Sequence, residues 1–115
     1  MTKAKILRIY ASNTDKIKQK SLFEALAFEA KSFGMAGTTV YKGIMGYGAS
    51  SEMVSDKFWE LTDKTPVIIE IIDEAEKVTE FIKHIKPWLD DLPKGYLMIT
   101  SDADIQIRKK GKKVI

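Results

Sequence analysis

Apolar and polar positions first fall into a two-residue rhythm in AKILRIYA, residues 4–11, with Leu7 and Ile9 on one side and Ile6, Arg8 and Tyr10 on the other. That alternation predicts a β-strand. The polar stretch SNTDKIKQK ends it. Ser21 with Glu24 three positions later reads as a capping box, and Leu22, Ala25, Leu26, Ala30 and Phe33 keep helical spacing until Gly34, so a helix is predicted over about 21–33. After a turn at Met35 to Gly37, the β-rich run Thr38 to Ile44 predicts a second strand.

Residues 49–64 fit either a short helix or an extended arm, and a mobile loop with some strand character is expected there. Pro66 then introduces VIIEII, residues 67–72, an almost continuous apolar run that reads as a central strand buried on both faces. Asp73 with Glu76 gives a second capping signal. Behind it Val78, Phe81, Ile82, Ile85 and Leu89 recur at helical spacing, for a helix ending near Pro87. YLMIT follows Gly95, and after the polar SDAD the alternation of Ile105 and Ile107 predicts a short extra terminal strand. The order implies an α+β fold: a ferredoxin-like βαββαβ sandwich, two helices on one face of the sheet, with an extra C-terminal strand.

Composition narrows the setting. The 115 residues, 44% hydrophobic and 30% charged, fit a single domain spanning 1–115. There is no cysteine for disulfides or thiol chemistry. No apolar run approaches the roughly 20 residues of a membrane span, and MTKAKILRIYAS lacks a signal-peptide core, so a cytoplasmic location is expected. Of the net charge of +3, five positive charges lie in residues 108–115, which leaves −2 over residues 1–107. A basic tail is not the basic face that nucleic-acid binding requires. An RNA recognition motif is further disfavoured because VIIEII carries no aromatic on which a base could stack.

The chain has one histidine, His84, placed on the polar side of the second helix within reach of Glu80, and no clustered ligands for a metal or nucleophilic site. No catalytic residue and no metal site is therefore expected. Two features stand out instead. Gly43, Gly46 and Gly48 are spaced G-x-x-G-x-G, which is neither a dinucleotide fingerprint nor a P-loop; they suit a strand-end bulge, or a backbone that closely approaches a ligand or another chain. Glu70 sits inside an apolar run and needs a partner, for which Arg8 is the candidate. Such a pair serves either as a structural ion pair or as a carboxylate held ready for a ligand's hydroxyl groups.

Taken together, KILRIYA, FGMAGTTVYKGIMGYGASS and PVIIEIID resemble the PII-like family known as domain of unknown function 190, or UPF0166, over nearly the whole chain. The resemblance implies a homotrimer that binds adenine nucleotides between subunits, beneath a long loop that contacts partner proteins. By position it implies that Gly46, Tyr47 and Gly48 open the loop, residues 46–64, and belong to the nucleotide site, Gly46 and Gly48 letting the backbone approach the ligand, and that Gly37 and Thr39 reach the nucleotide from an adjoining subunit. Glu70 matches a carboxylate of the site, Lys94 and Gly95 its phosphate turn, and Arg108 a phosphate-binding arginine. LPKGY is shorter and poorer in glycine than the family's phosphate loop, and Gln106 replaces another arginine, so ADP or AMP is expected before ATP. A membrane transporter or an enzyme is the partner implied for loop 46–64. The alternative is a trimeric interaction module without a small-molecule ligand.

Overall fold

In the computed structural model, residues 2–47, 54–55, 65–93 and 95–111 are described. The elements are β1 (Thr2–Ser12), β2 (Lys16–Ile17), β3 (Lys20–Ser21), α1 (Leu22–Phe33), β4 (Gly37–Lys42), β5 (Met45–Gly46), β6 (Val54–Ser55), β7 (Pro66–Glu74), α2 (Ala75–Asp90) and β8 (Leu97–Ile105). The main sheet runs β4-β7-β1-β8 with every neighbour antiparallel, which is the expected βαββαβ arrangement.

Strand alternation decides where the core lies. Leu7 and Ile9 of β1 and Val67, Ile69 and Ile71 of β7 are buried on one side, under Leu22, Leu26 and Ala30 of α1 and Val78, Phe81, Ile85 and Leu89 of α2. Both helices cover that side. The opposite face of the same strands is only partly shielded, so β7 alternates buried and half-buried residues along Val67 to Asp73. The expectation of burial on both faces is thus corrected: two helices seated on one side leave Ile68, Glu70 and Ile72 on an open face.

Three further expectations change. The extra terminal strand is absent from the described residues, because the polar SDAD belongs to one continuous edge strand. In β8, Asp102 and Asp104 face solvent while Ser101, Ala103 and Ile105 are half-buried, and residues 106–111 lie outside any strand. Helix α2 runs through Pro87 to Asp90. A proline there forfeits one backbone hydrogen bond near the helix end, while the burial of Leu89 beyond it favours the last turn. His84 pairs with Glu29 across the helices, at 3.2 Å, rather than with Glu80, which meets Lys83 at 3.6 Å.

Capping also differs from the pattern read in the sequence. Neither helix has a side-chain cap at its first turn, although α1 does end at Gly34 in the left-handed conformation, φ 83°. Ser21 instead closes the β2–β3 hairpin opposite Lys16, and the two residues at the tip, Lys18 and Gln19, hold positive φ of 49° and 70°. The hairpin lies within the stretch that sequence analysis read only as a polar break. Pairing of Met45 with Ser55 and of Gly46 with Val54 gives the base of segment 46–64 the strand character expected. Apart from Tyr47, the rest of that segment lies outside the described residues.

Candidate functional site

The open face of the sheet is a grid set by register. One row runs Tyr41, Ile68, Tyr10, Leu97; the next Thr39, Glu70, Arg8, Ile99; the third Gly37, Ile72, Ile6, Ser101. Residues directly opposite one another share a face, so these twelve positions form one surface. It is largely apolar, and Leu97 and Ile99 remain 49% and 38% exposed.

At its centre Arg8 Nε donates to Glu70 Oε2 at 3.0 Å, and the Tyr41 hydroxyl donates to the same oxygen at 3.1 Å. Arg8 Nη1 also reaches Ser101 Oγ at 3.4 Å. The predicted partnership of Arg8 with Glu70 is therefore present. The guanidinium is held above its ordinary pKa, chiefly by the hydrogen bond to Glu70 and next by Tyr41. Tyr41 did not figure among the candidate residues. Its signal is register, which no local pattern reveals: in β4 it stands two positions from Thr39, diagonally across from Glu70.

The remaining sequence-predicted residues separate into two groups. Gly37 starts β4 at the end of the sheet where Ile105 pairs with Thr2, and Arg108 follows β8 at that same end. Gly46 and Tyr47 follow the far end of β4, and Gly95 precedes Leu97 opposite Tyr10, also at the far end. Five strand positions separate Gly37 from Lys42, roughly 17 Å. Glu70 and Thr39 lie between, paired across β7 and β4. Among the described residues, one copy of the chain does not bring the two groups together. Gly48 and Lys94 lie outside the described residues.

The near end also holds a residue that sequence analysis read only as a helix cap. Asp73 is 1% exposed, and its carboxylate accepts the backbone N–H of Ala36 at 2.9 Å and of Glu74 at 2.6 Å. Lys77 Nζ lies 3.5 Å away and Arg108 Nη1 3.9 Å. Parity was the available clue: Asp73 shares the phase of Val67, Ile69 and Ile71 and so had to be buried. A groove of about 680 Å³ beside it is lined by Lys3, Phe33, Glu74, Glu76, Lys77 and Glu80, with Ala75, and by none of the sequence-predicted site residues that are described.

Among the described residues, none requires glycine at Gly37 or Gly46 for packing, since a Cβ at either would meet none of their atoms within 4 Å. Gly43 is different: its Cβ would stand 2.9 Å from Pro66 Cγ, and its N–H donates to Pro66 O at 2.8 Å. One member of the glycine cluster is thus explained by the fold. Among the described residues no helix is long and apolar enough to cross a membrane, and no group of His, Cys, Asp and Glu is arranged to hold a metal ion.

Comparison with solved structures supports the fold. CPII from Thiomonas intermedia K12, a nitrogen regulatory PII-like protein whose structure was determined with ADP, AMP and bicarbonate, superposes with a TM-score of 0.66 at 18% identity, covering 93% of this chain and 90% of that one. A putative PII-like signalling protein from Thermus thermophilus gives 0.59 at 14% identity, over 89% and 88% of the two chains. At the sequence level, a UPF0166 protein of Methanocaldococcus jannaschii is 38% identical over 102 residues, 87% of this chain and 90% of the relative. A UPF0166 protein of Aquifex aeolicus is also 38% identical, over 86 residues, 75% of this chain and 82% of the relative. The model of the DUF190 family, described as "Uncharacterized ACR", matches residues 4–105. With a PII-like fold and this span of family similarity, the chain belongs to the DUF190 (UPF0166) family.

Proposed function

We propose that this chain is a cytoplasmic, non-enzymatic PII-like regulator that binds an adenine nucleotide, ADP foremost, in clefts between the subunits of a homotrimer. Occupancy of the cleft sets the conformation of loop 46–64, and the loop contacts a partner protein. The observation that carries this reading is the split of the candidate residues between two ends of a half-covered sheet. Gly37 and Arg108 lie at one end and Gly46, Tyr47 and Gly95 at the other, an arrangement that suits a cleft completed by a neighbouring copy. Leu97 and Ile99, exposed on the open face, supply apolar surface for that neighbour.

Glu70 is the residue best placed to serve the cleft. Its Oε2 already accepts from Arg8 and Tyr41, while among the described residues none donates to Oε1, which suits a hydroxyl group of a ribose. Support for the ligand class comes from CPII, which shares the fold and whose structures hold ADP and AMP. The ligand shifts the loop only by as much as its affinity differs between the two loop states.

Calorimetric titration of the intact protein with ATP, ADP and AMP tests the reading. Binding is expected with ADP at least as tight as with ATP, and weaker on Glu70→Gln. Absence of heat with all three at millimolar concentration removes the nucleotide, and partner capture that survives under those conditions identifies a ligand-free interaction module.

A further inference from the structure

Asp73 gathers partners from four parts of the chain. Its Oδ2 accepts the N–H of Ala36, immediately before Gly37, and its Oδ1 accepts the N–H of Glu74. Lys77, one turn into α2, places Nζ 3.5 Å from Oδ2 and also donates to Gly34 O. These three contacts join α1, β4 and α2 and do not depend on the tail. A buried carboxylate with two backbone donors and a lysine is satisfied as it stands.

Arg108 is the fourth partner and the loosest. At 3.9 Å its Nη1 is beyond hydrogen-bond range of Oδ1, its side chain is 48% exposed, and it belongs to a segment past the end of β8 that joins no ladder. Breaking a buried ion pair is ordinarily severe because one charge is left unpaired. Here the departure of Arg108 leaves Asp73 with its amides and Lys77, and gives the guanidinium to solvent or to another anion. A phosphate group accepts two of its N–H donors in parallel, a stronger arrangement than the contact it replaces.

We infer that Asp73 is a positioning residue that parks Arg108 in the nucleotide-free protein and releases it to the phosphates of an incoming nucleotide. Asp73 thereby sets how strongly the site distinguishes ADP from adenosine. The ligand in this inference rests on the function proposed above; the parked contact does not.

The test uses the full chain, Asp73→Asn, Arg108→Gln and two readouts. By calorimetry, D73N binds ADP about threefold more tightly, the scale of one long ion pair whose arginine is half-exposed, with adenosine unchanged. R108Q weakens ADP about tenfold or more and again leaves adenosine unchanged. Without nucleotide, trypsin cuts after Arg108 more slowly than after Lys109 in the unmodified chain and at similar rates in D73N. An ADP-to-adenosine affinity ratio unmoved by both substitutions overturns the exchange. Equal cleavage at the two bonds of the unmodified chain overturns the parking. Failure of the unmodified chain to bind ADP removes the nucleotide reading and the exchange together, and the trypsin result then judges the parked contact alone. If D73N does not fold, raising the salt concentration takes its place: faster cleavage after Arg108 relative to Lys109 in the unmodified chain supports the ion pair, and an unchanged ratio overturns it.

Discussion

At Gly43 the chain passes so close to Pro66 that an added methyl group would have to move the proline ring. Gly43→Ala is expected to lower stability by about 1–3 kcal/mol, the range for overpacking, measured as a shift of the urea midpoint. A methyl group at Gly37 or Gly46 meets none of the described residues, so Gly37→Ala and Gly46→Ala are expected to leave that midpoint nearly unchanged, and any loss of nucleotide affinity in them then reports on the site and not on the fold. Gln19 presents the reverse case. Its φ of 70° suits glycine, and Gln19→Gly is expected to stabilise the protein by about 0.5–1 kcal/mol by relieving the hairpin tip. A glycine that packing requires and a glutamine where glycine would be easier cannot be told apart by spacing. The first depends on a neighbour distant in the sequence, the second on a backbone angle.

Between α2 and β8 the closing contact is a phenol. Tyr96 donates to Asp90 Oδ1 at 3.2 Å, and burial first, then this hydrogen bond and the carboxylate's charge, hold its pKa above the ordinary value. The sign follows from proton counting: above the unfolded value near 10, the folded chain binds more protons than the unfolded one, so stability declines as the pH rises. This contribution is fully present below about pH 10 and is lost as the pH climbs through the folded pKa. Phenolate titration of a variant retaining only Tyr96 is expected to give a midpoint above about 10, and Asp90→Asn is expected to lower it only partway, because burial remains. At this scale the elements with a strong period were legible. β1, α1, the start of α2 and β7 could be read because alternation or helical spacing recurs along much of each element. What could not be read was set by neighbours. β8 tolerates SDAD because an edge strand has one side in water, and β7 accepts an apolar outer face without helices above it. The Arg8–Glu70 pair was legible because two mid-strand charges leave few choices; Tyr41, which shares it, depended on register.

For the molecule as a whole, the half-covered sheet makes assembly the property to measure. Sedimentation is expected to give a particle three times the 13.0 kDa of the chain, and Ile99→Arg, a charge placed on the open face beside Arg8, is expected to return it to one. A parent protein that sediments as a single chain removes the shared cleft. The sheet order bears also on how the chain reaches this state. β1 is made first, yet both strands that flank it come late: Arg8 finds Glu70 across 62 positions and Ser101 across 93. Its two ladders cannot both close until residues 97–105 have left the ribosome, so during synthesis the apolar β1 segment waits with one edge of its backbone unpaired. Loop closure over such separations is slow, and a nascent chain stalled before residue 97 has a vacant edge where β8 belongs. A chain cut short there is expected to associate through that edge instead of folding, which makes the docking of β8 the step that commits this sheet to its native form.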